Sequence, residues 1–196
     1  QGGMFGGFFA LWAPSPPDPD GIDWQARQEA PPYAVPLAGL IPTSPATEHM
    51  MRLAGRLDLL ERSGTLSICR SVDEILAAKD AGRIAAILHM EGAEGVADLD
   101  VLHLWHRAGL RSLGPVWSRQ NTYGYGVPFE FPASPDTGPG LTEAGKRLVK
   151  ECNRLGILID LSHITEKGFW DVVKHSDQPP IASHSNAHAL TPVARN

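Results

Sequence analysis

Cysteine is scarce. Cys69 and Cys152 are the two in 196 residues, far apart and in no Cys-x-x-Cys pair. That excludes a disulfide framework and an all-cysteine zinc site, and it points to a reducing compartment, the cytoplasm. No apolar run approaches the ~18 residues that a membrane-crossing helix needs. No basic run occurs either. Lys and Arg number 17 against 22 Asp and Glu, a formal charge of −5, which argues against nucleic acid as a partner. The amino terminus, Gln1 to Leu11, lacks a basic start and a cleavage signature, so it reads as a strand entered halfway and not as a signal peptide. The carboxyl end reaches Asn196 without a closing helix, and both ends read as cut from something longer. No Gly-x-Gly-x-x-Gly or other phosphate-cradling loop follows a predicted strand, which weakens a nucleotide-binding open sheet.

What is present is a globular balance, 42% hydrophobic and 20% charged, with 20 Gly and 17 Pro. That is enough chain for one buried core. Phe5 to Leu11 reads as a buried strand. Residues 14–42 are rich in proline and acid and read as a loop excursion. Ser44-Pro45 supplies an N-cap and a first-turn proline, and Met50, Leu53, Leu57 and Leu60 follow on one helical face. Thr65 to Cys69 is a short strand, and Ser71-Val72-Asp73-Glu74 is a capping box opening a helix that ends near Gly82.

A regular rhythm follows. Strands are expected over Ile84 to Met90, Leu110 to Trp117, Ile157 to Leu161 and Pro180 to Ser183. Helices are expected over Leu99 to Ala108, Thr142 to Leu155, and after Thr165. Near-continuous apolar strands alternating with helices indicate a parallel sheet covered by helices, hence an α/β fold, either open or closed as a barrel. About five barrel-type strands are countable, fewer than the eight that close a TIM-type barrel.

Polar residues stand just past three strand ends: Glu91, His163 and His184. In parallel α/β folds that edge holds the site. A carboxylate and two imidazoles are ordinary zinc ligands, and a metal removes the cost of burying them together. A lone histidine at a strand end is more often a satisfied rim residue, and Glu91 alone reads equally as a helix-start or salt-bridge residue, so both readings stay open at this point. His49, His103 and His106 read as solvated helix residues, and His175 as a favourable charge at a helix end. His89 is placed on the strand face opposite Glu91 and read as core packing. Trp105 and Trp170 read as helix–sheet packing, and the two cysteines as small core hydrophobes. Asp160 is a candidate orienter of a ligating histidine.

The segment Gly156-Ile157-Leu158-Ile159-Asp160-Leu161-Ser162-His163 closely resembles the membrane (renal) dipeptidase family. So do Phe169-Trp170-Asp171-Val172, Pro180-Ile181-Ala182-Ser183-His184-Ser185-Asn186-Ala187, Met90-Glu91-Gly92 and Gly140-Leu141-Thr142-Glu143-Ala144-Gly145-Lys146. Leu113-Gly114-Pro115-Val116-Trp117-Ser118-Arg119 is similar to the bacterial branch. The resemblance implies a TIM-type (β/α)8 barrel of the amidohydrolase kind, incomplete here at about strands 2 to 6. Residues 1–196 are then one partial metallo-dependent hydrolase domain, with 118–140 as the active-site loop.

The resemblance also implies two Zn2+ ions and hydrolysis of small dipeptides, including those with a C-terminal D-residue, by a metal-bridged hydroxide. Glu91 would bridge the ions, and His163 and His184 would ligate the second. Arg195 would hold the substrate carboxylate, a task that suits the guanidinium fork. The family's His-x-Asp on the first strand is not matched, and its late aspartate would lie beyond Asn196. Its substrate-orienting histidine is also unmatched. Tyr125 or Tyr123 would substitute as donor to the developing oxyanion. An N-acyl-amino-acid deacylase and a non-catalytic fragment that needs flanking segments or a partner chain are the alternatives. The exposed edges of an open barrel leave homo-oligomerisation open.

Overall fold

The structure is a computed structural model that describes residues 3–37 and 39–195; the sequence readings at residues 1, 2 and 196 lie outside the described residues. In chain order it holds β1 (Gly6–Trp12), α1 (Trp24–Arg27), β2 (Tyr33–Val35), α2 (Thr43–Arg62), β3 (Leu66–Ile68), α3 (Val72–Asp80) and β4 (Ile84–Glu91). A 3-10 turn (Ala93–Gly95) precedes α4 (Leu99–Ala108), β5 (Leu110–Gly114), β6 (Phe129–Phe131), α5 (Glu143–Leu155), β7 (Leu158–Ile159) and α6 (Glu166–His175). No helix among the described residues is long and apolar enough to cross a membrane.

One parallel sheet runs β1-β4-β5-β7, with β3 alongside the start of β4. A parallel bridge between Asp160 and Ile181 carries it one step further. Helices cover it, so β4 is apolar along most of its length, as a strand buried on both faces must be. The register sets the strand ends level. Trp12 and Gly114 both lie opposite Glu91, and Leu113 lies opposite Ile159 one residue before Asp160. The sheet does not close among the described residues; it is an open α/β arc consistent with part of a barrel wall.

The helices follow their capping chemistry. Ser71 Oγ accepts from Glu74 N, Thr142 Oγ1 from Gly145 N and Thr165 Oγ1 from Gly168 N. Gly109 and Gly156 end α4 and α5 at φ 116° and 70°, where a side chain would be strained. The reciprocal arm of the first cap reaches one residue further than expected: Glu74 Oε2 accepts from Arg70 N.

Several expectations are corrected. α2 begins at Thr43 with Pro42 at the cap position and no side-chain cap bond, so Ser44 is inside the helix. Pro45 still lies in the first turn, where its missing N–H costs nothing. Leu60 is 42% exposed because it turns away from the buried face that holds Met50. β5 stops at Gly114, since Pro115 has no N–H for the ladder. The segment 180–183 makes a single bridge and not a strand. Trp105 is buried and its Nε1 donates to Gly95 O, but Trp170 is 59% exposed. His49, His103 and His106 are half-buried, and His103 Nε2 lies 2.7 Å from Glu151 Oε1 on α5. Cys69 and Cys152 are buried and free.

The excursion at 14–42 carries structure of its own. Its β2 pairs antiparallel with β6 from the 118–140 loop, Tyr33 opposite Phe131 and Val35 opposite Phe129. At the root of the second loop, Gly126 N donates to Arg119 O at 3.1 Å, and a Cβ on Gly126 would run into the Trp117 carbonyl. Gly126→Ala is therefore expected to cost about 1–3 kcal/mol. The check is the urea midpoint: an unchanged value would show that this approach is not close enough to matter.

Candidate metal centre

Glu91 is the last residue of β4, His163 follows β7, and His184 follows the Ile181 bridge. Parallel strand ends bring them together. One ligand atom from each lies within 4.8 Å of the others, the one such group among the described residues. His163 Nε2 is 3.0 Å from Glu91 Oε1 and 2.8 Å from His184 Nε2, and His184 Nε2 is 3.4 Å from the same carboxylate oxygen. His163 has φ 69°, the one positive value at a non-glycine among the described residues. That left-handed turn costs of the order of 1–2 kcal/mol and aims the imidazole inward.

Each ring is held from behind. Ser183 Oγ donates to Asp160 Oδ2, so the 2.7 Å contact between Ser183 Oγ and His184 Nδ1 must be donated by the ring nitrogen. His184 Nε2 then carries a lone pair facing Glu91 and His163. His163 Nδ1 lies 2.8 Å from Ser118 Oγ, which can hold it in the same tautomer. Asp160 also accepts from Ser162 N, Ser162 Oγ and Ser183 N. Burial pushes its carboxyl up, but the bonds from Ser183 and Ser162 outweigh that and hold it below the usual value.

The charges are those a cation needs. Burial raises Glu91, yet the hydrogen bond and charge of His163, with His184 and His89 adding, hold it below the ordinary carboxylate range. Burial lowers His163 against the pull of Glu91, and the nearby Arg195 charge lowers it further. A carboxylate and two imidazoles are ligand types that zinc takes. Inward lone pairs beside a carboxylate repel one another unless a cation or proton lies among them, so the donor chemistry fits a metal.

A cavity of about 380 Å3 opens over these atoms, bordered by Phe8, His89, Trp117, Phe129, Ser183 and Arg195 as well as the three candidates. Arg195 is thus brought to the site, its guanidinium 5.8 Å from the Phe129 ring centre. Tyr125 does not border this cavity, and the Tyr123 hydroxyl donates to Val96 O. His89 stands on the same side as Glu91 and not the opposite one, because residues two apart in a strand share a face. Its Nδ1 meets Ser112 Oγ at 2.9 Å. Ser118, Ser183 and the Trp117–Phe129 wall were not singled out in the sequence. Ser183 had one signal, its place beside a candidate ligand on a strand end.

A sequence model of the membrane dipeptidase family (peptidase family M19) matches residues 32–196. The chain belongs to the membrane dipeptidase family. A solved metallopeptidase of this kind from Rhodobacter sphaeroides, liganded with a phosphinate mimic of the dipeptide L-Ala-D-Ala, is 54% identical. It superposes with a TM-score of 0.95 over 100% of this chain and 56% of that one. An uncharacterized protein in the PQQ-III 3' region of Acinetobacter calcoaceticus is 45% identical over 139 residues, 70% of this chain and 44% of that protein. The dipeptidase tcpJ of Claviceps purpurea is 33% identical over 150 residues, 72% of this chain and 34% of that protein. The chain thus spans about half the length, or less, of these membrane dipeptidase relatives.

Removing the hydroxyl behind His184 should loosen the site without emptying it. Should the trio hold a divalent cation, Ser183→Ala is expected to weaken its binding about 10–100-fold, the usual effect of losing a partner of a ligating histidine. Competition with a chromophoric chelator reads this directly, and wild-type affinity would remove Ser183 from the positioning of His184.

Proposed function

We propose that these residues form part of the catalytic centre of a zinc-dependent dipeptidase that accepts dipeptides with a C-terminal D-residue. The observation that carries the reading is the convergence of Glu91 Oε1, His163 Nε2 and His184 Nε2, with the tautomer of His184 fixed from behind. Support comes from the family and from the relative that binds a mimic of L-Ala-D-Ala. Glu91, His163 and His184 would hold one ion, and the carboxylate of Glu91, having two oxygens, can join a second. Bound zinc lowers the pKa of its water toward neutrality and polarises a carbonyl.

The chain's own residues do the remaining work. Arg195 offers a planar fork to the free carboxylate of the substrate and so sets its length. Trp117 and Phe129 exclude water beside His163, their ring centres 5.8 and 6.1 Å from the imidazole. Ser118, Ser183 and Asp160 keep the imidazoles aimed.

The test uses the chain extended to the length of its relatives, loaded with zinc, and L-Ala-D-Ala as substrate. Glu91→Gln, His163→Ala and His184→Ala are each expected to lower kcat/KM by at least about a hundredfold, and Arg195→Ala to raise KM about tenfold or more with kcat less affected. Full activity in any of the first three removes that residue from the centre. An unchanged KM in the fourth removes the carboxylate clamp.

A further inference from the structure

The outward face of α2 is not explained by the packing of a single chain. The helix turns Ala46, Met50, Leu53 and Leu57 toward the core. On its opposite side Met51 and Leu59 are 61% and 65% exposed, large apolar side chains left in water. Gly55 lies midway between them, four residues from each, and so on the same face. Glycine in mid-helix costs stability relative to almost any other residue. A Cβ at Gly55 would meet nothing within 4 Å, so no neighbour in this chain requires the glycine.

Two ion pairs lie on the same face. Arg52 pairs with Glu48 at 2.5 Å, and Arg62 with Asp58 at 2.8 Å. Gly55 bisects these charges as well. Arg52 and Asp58 stand three residues to either side of it, and Glu48 and Arg62 stand seven. Positions equidistant from Gly55 are thus apolar with apolar, or acid with base. That is the pattern of a surface complementary to itself about a two-fold axis.

We propose that the outward face of α2 is a homodimer interface, on which a second copy of this chain lays its own α2 antiparallel, with the two-fold axis at Gly55. Met51 then faces Leu59 of the second copy, Arg52 faces Asp58 of the second copy, and Glu48 faces Arg62 of the second copy. The ion pairs within each helix meet crosswise as alternating sets of four charges. The bare backbone at Gly55 lets the helices approach closely, and a shallow crossing of about 20° keeps the outer pairs within reach. A parallel arrangement would set Glu48 on Glu48 and Arg52 on Arg52, which repel. A partner carrying one sign of charge would match half of the face and oppose the other half. One helix pair is small for a specific interface, so a dissociation constant of about 1–100 μM is expected.

The experiment is sedimentation equilibrium of the chain extended to the length of its relatives, over concentrations spanning that range. Glu48→Arg with Arg52→Glu reverses one ion pair, and Asp58→Arg with Arg62→Glu reverses the other. Each double variant keeps both ion pairs within its helix and the same net charge, but sets like charges against each other in its own dimer. Each is expected to raise Kd at least about tenfold. Mixed in equal amounts, the two double variants regain opposite charges at every facing position, and a heterodimer close to the wild-type Kd is expected. Gly55→Gln places a better helix former at the crossing point. It is expected to weaken the dimer at least about tenfold with no fall in the Tm measured in dilute solution. A monomer at every concentration overturns the proposal. A dimer that survives in both double variants, or in Gly55→Gln, lies on another face and overturns it too. Loss of the dimer in both double variants without recovery on mixing overturns the antiparallel pairing and the proposal with it.

Discussion

A buried carboxylate sets the geometry at the strand ends. Asp160 closes β7 with almost no exposure, and an ionised carboxylate there requires donors on every side. Ser162 and Ser183 each supply a backbone N–H and a hydroxyl. Because Ser183 comes from beyond the Ile181 bridge, satisfying Asp160 also fixes the end of that segment against β7. The spent proton of the Ser183 hydroxyl then leaves it an acceptor for His184 Nδ1, and the other imidazole nitrogen turns inward. One electrostatic requirement in the core thus chooses the tautomer of a candidate ligand. His89 stands near the same charge, its Nε2 3.6 Å from Asp160 Oδ2. Burial holds His89 below the ordinary imidazole value despite that attraction, so it serves as a neutral floor.

A second buried charge organises the opposite side. Arg119 is fully buried; its Nη2 donates to Ala13 O at 2.7 Å and its Nε lies 3.3 Å from Glu94 Oε1. The guanidinium sits 4.5 Å from the Trp117 ring centre and 5.9 Å from that of Trp12. It therefore ties the end of β1, the turn after β4 and the loop after β5 into one unit. Such a pair is weak evidence for stability, since burial works against both charges. Burial raises Glu94 against the pull of Arg119 and lowers Arg119 against that of Glu94. Its consequence is positional: Ser118, the preceding residue, is delivered to His163 Nδ1.

The sequence made the frame legible because its signals are local. Apolar runs over Ile84 to Met90, caps at Ser71, Thr142 and Thr165, and glycines at 109 and 156 each state an element within a few residues. The three candidate ligands were legible because parallel strands place their carboxyl ends together, and the family resemblance sharpened that reading. What was not legible is tertiary. Ser118 and Ser183 are ordinary hydroxyls until a fold brings an imidazole to each, and nothing in the residues around His163 announces a left-handed turn. Trp170 and Leu60 were misplaced because periodicity identifies a face but not where its neighbour stops. His89 was misread against the two-residue period of its own strand.

The arrangement also says something about order of assembly. Glu91, His163 and His184 are held with their donor atoms about 3 Å apart by the left-handed backbone of His163 and by two serines and a buried aspartate outside the trio. Such a set opposes itself electrostatically, so the fold has to hold it in place before a cation relieves it. A cation bound only in the folded state would add stability by mass action. The excursion at 14–42 stands apart from this coupling. Among the described residues its link to the centre runs through β2–β6 pairing and two aromatic rings, not through a candidate ligand's hydrogen bond. Changes in that loop can alter the space beside the centre while the donors keep their places.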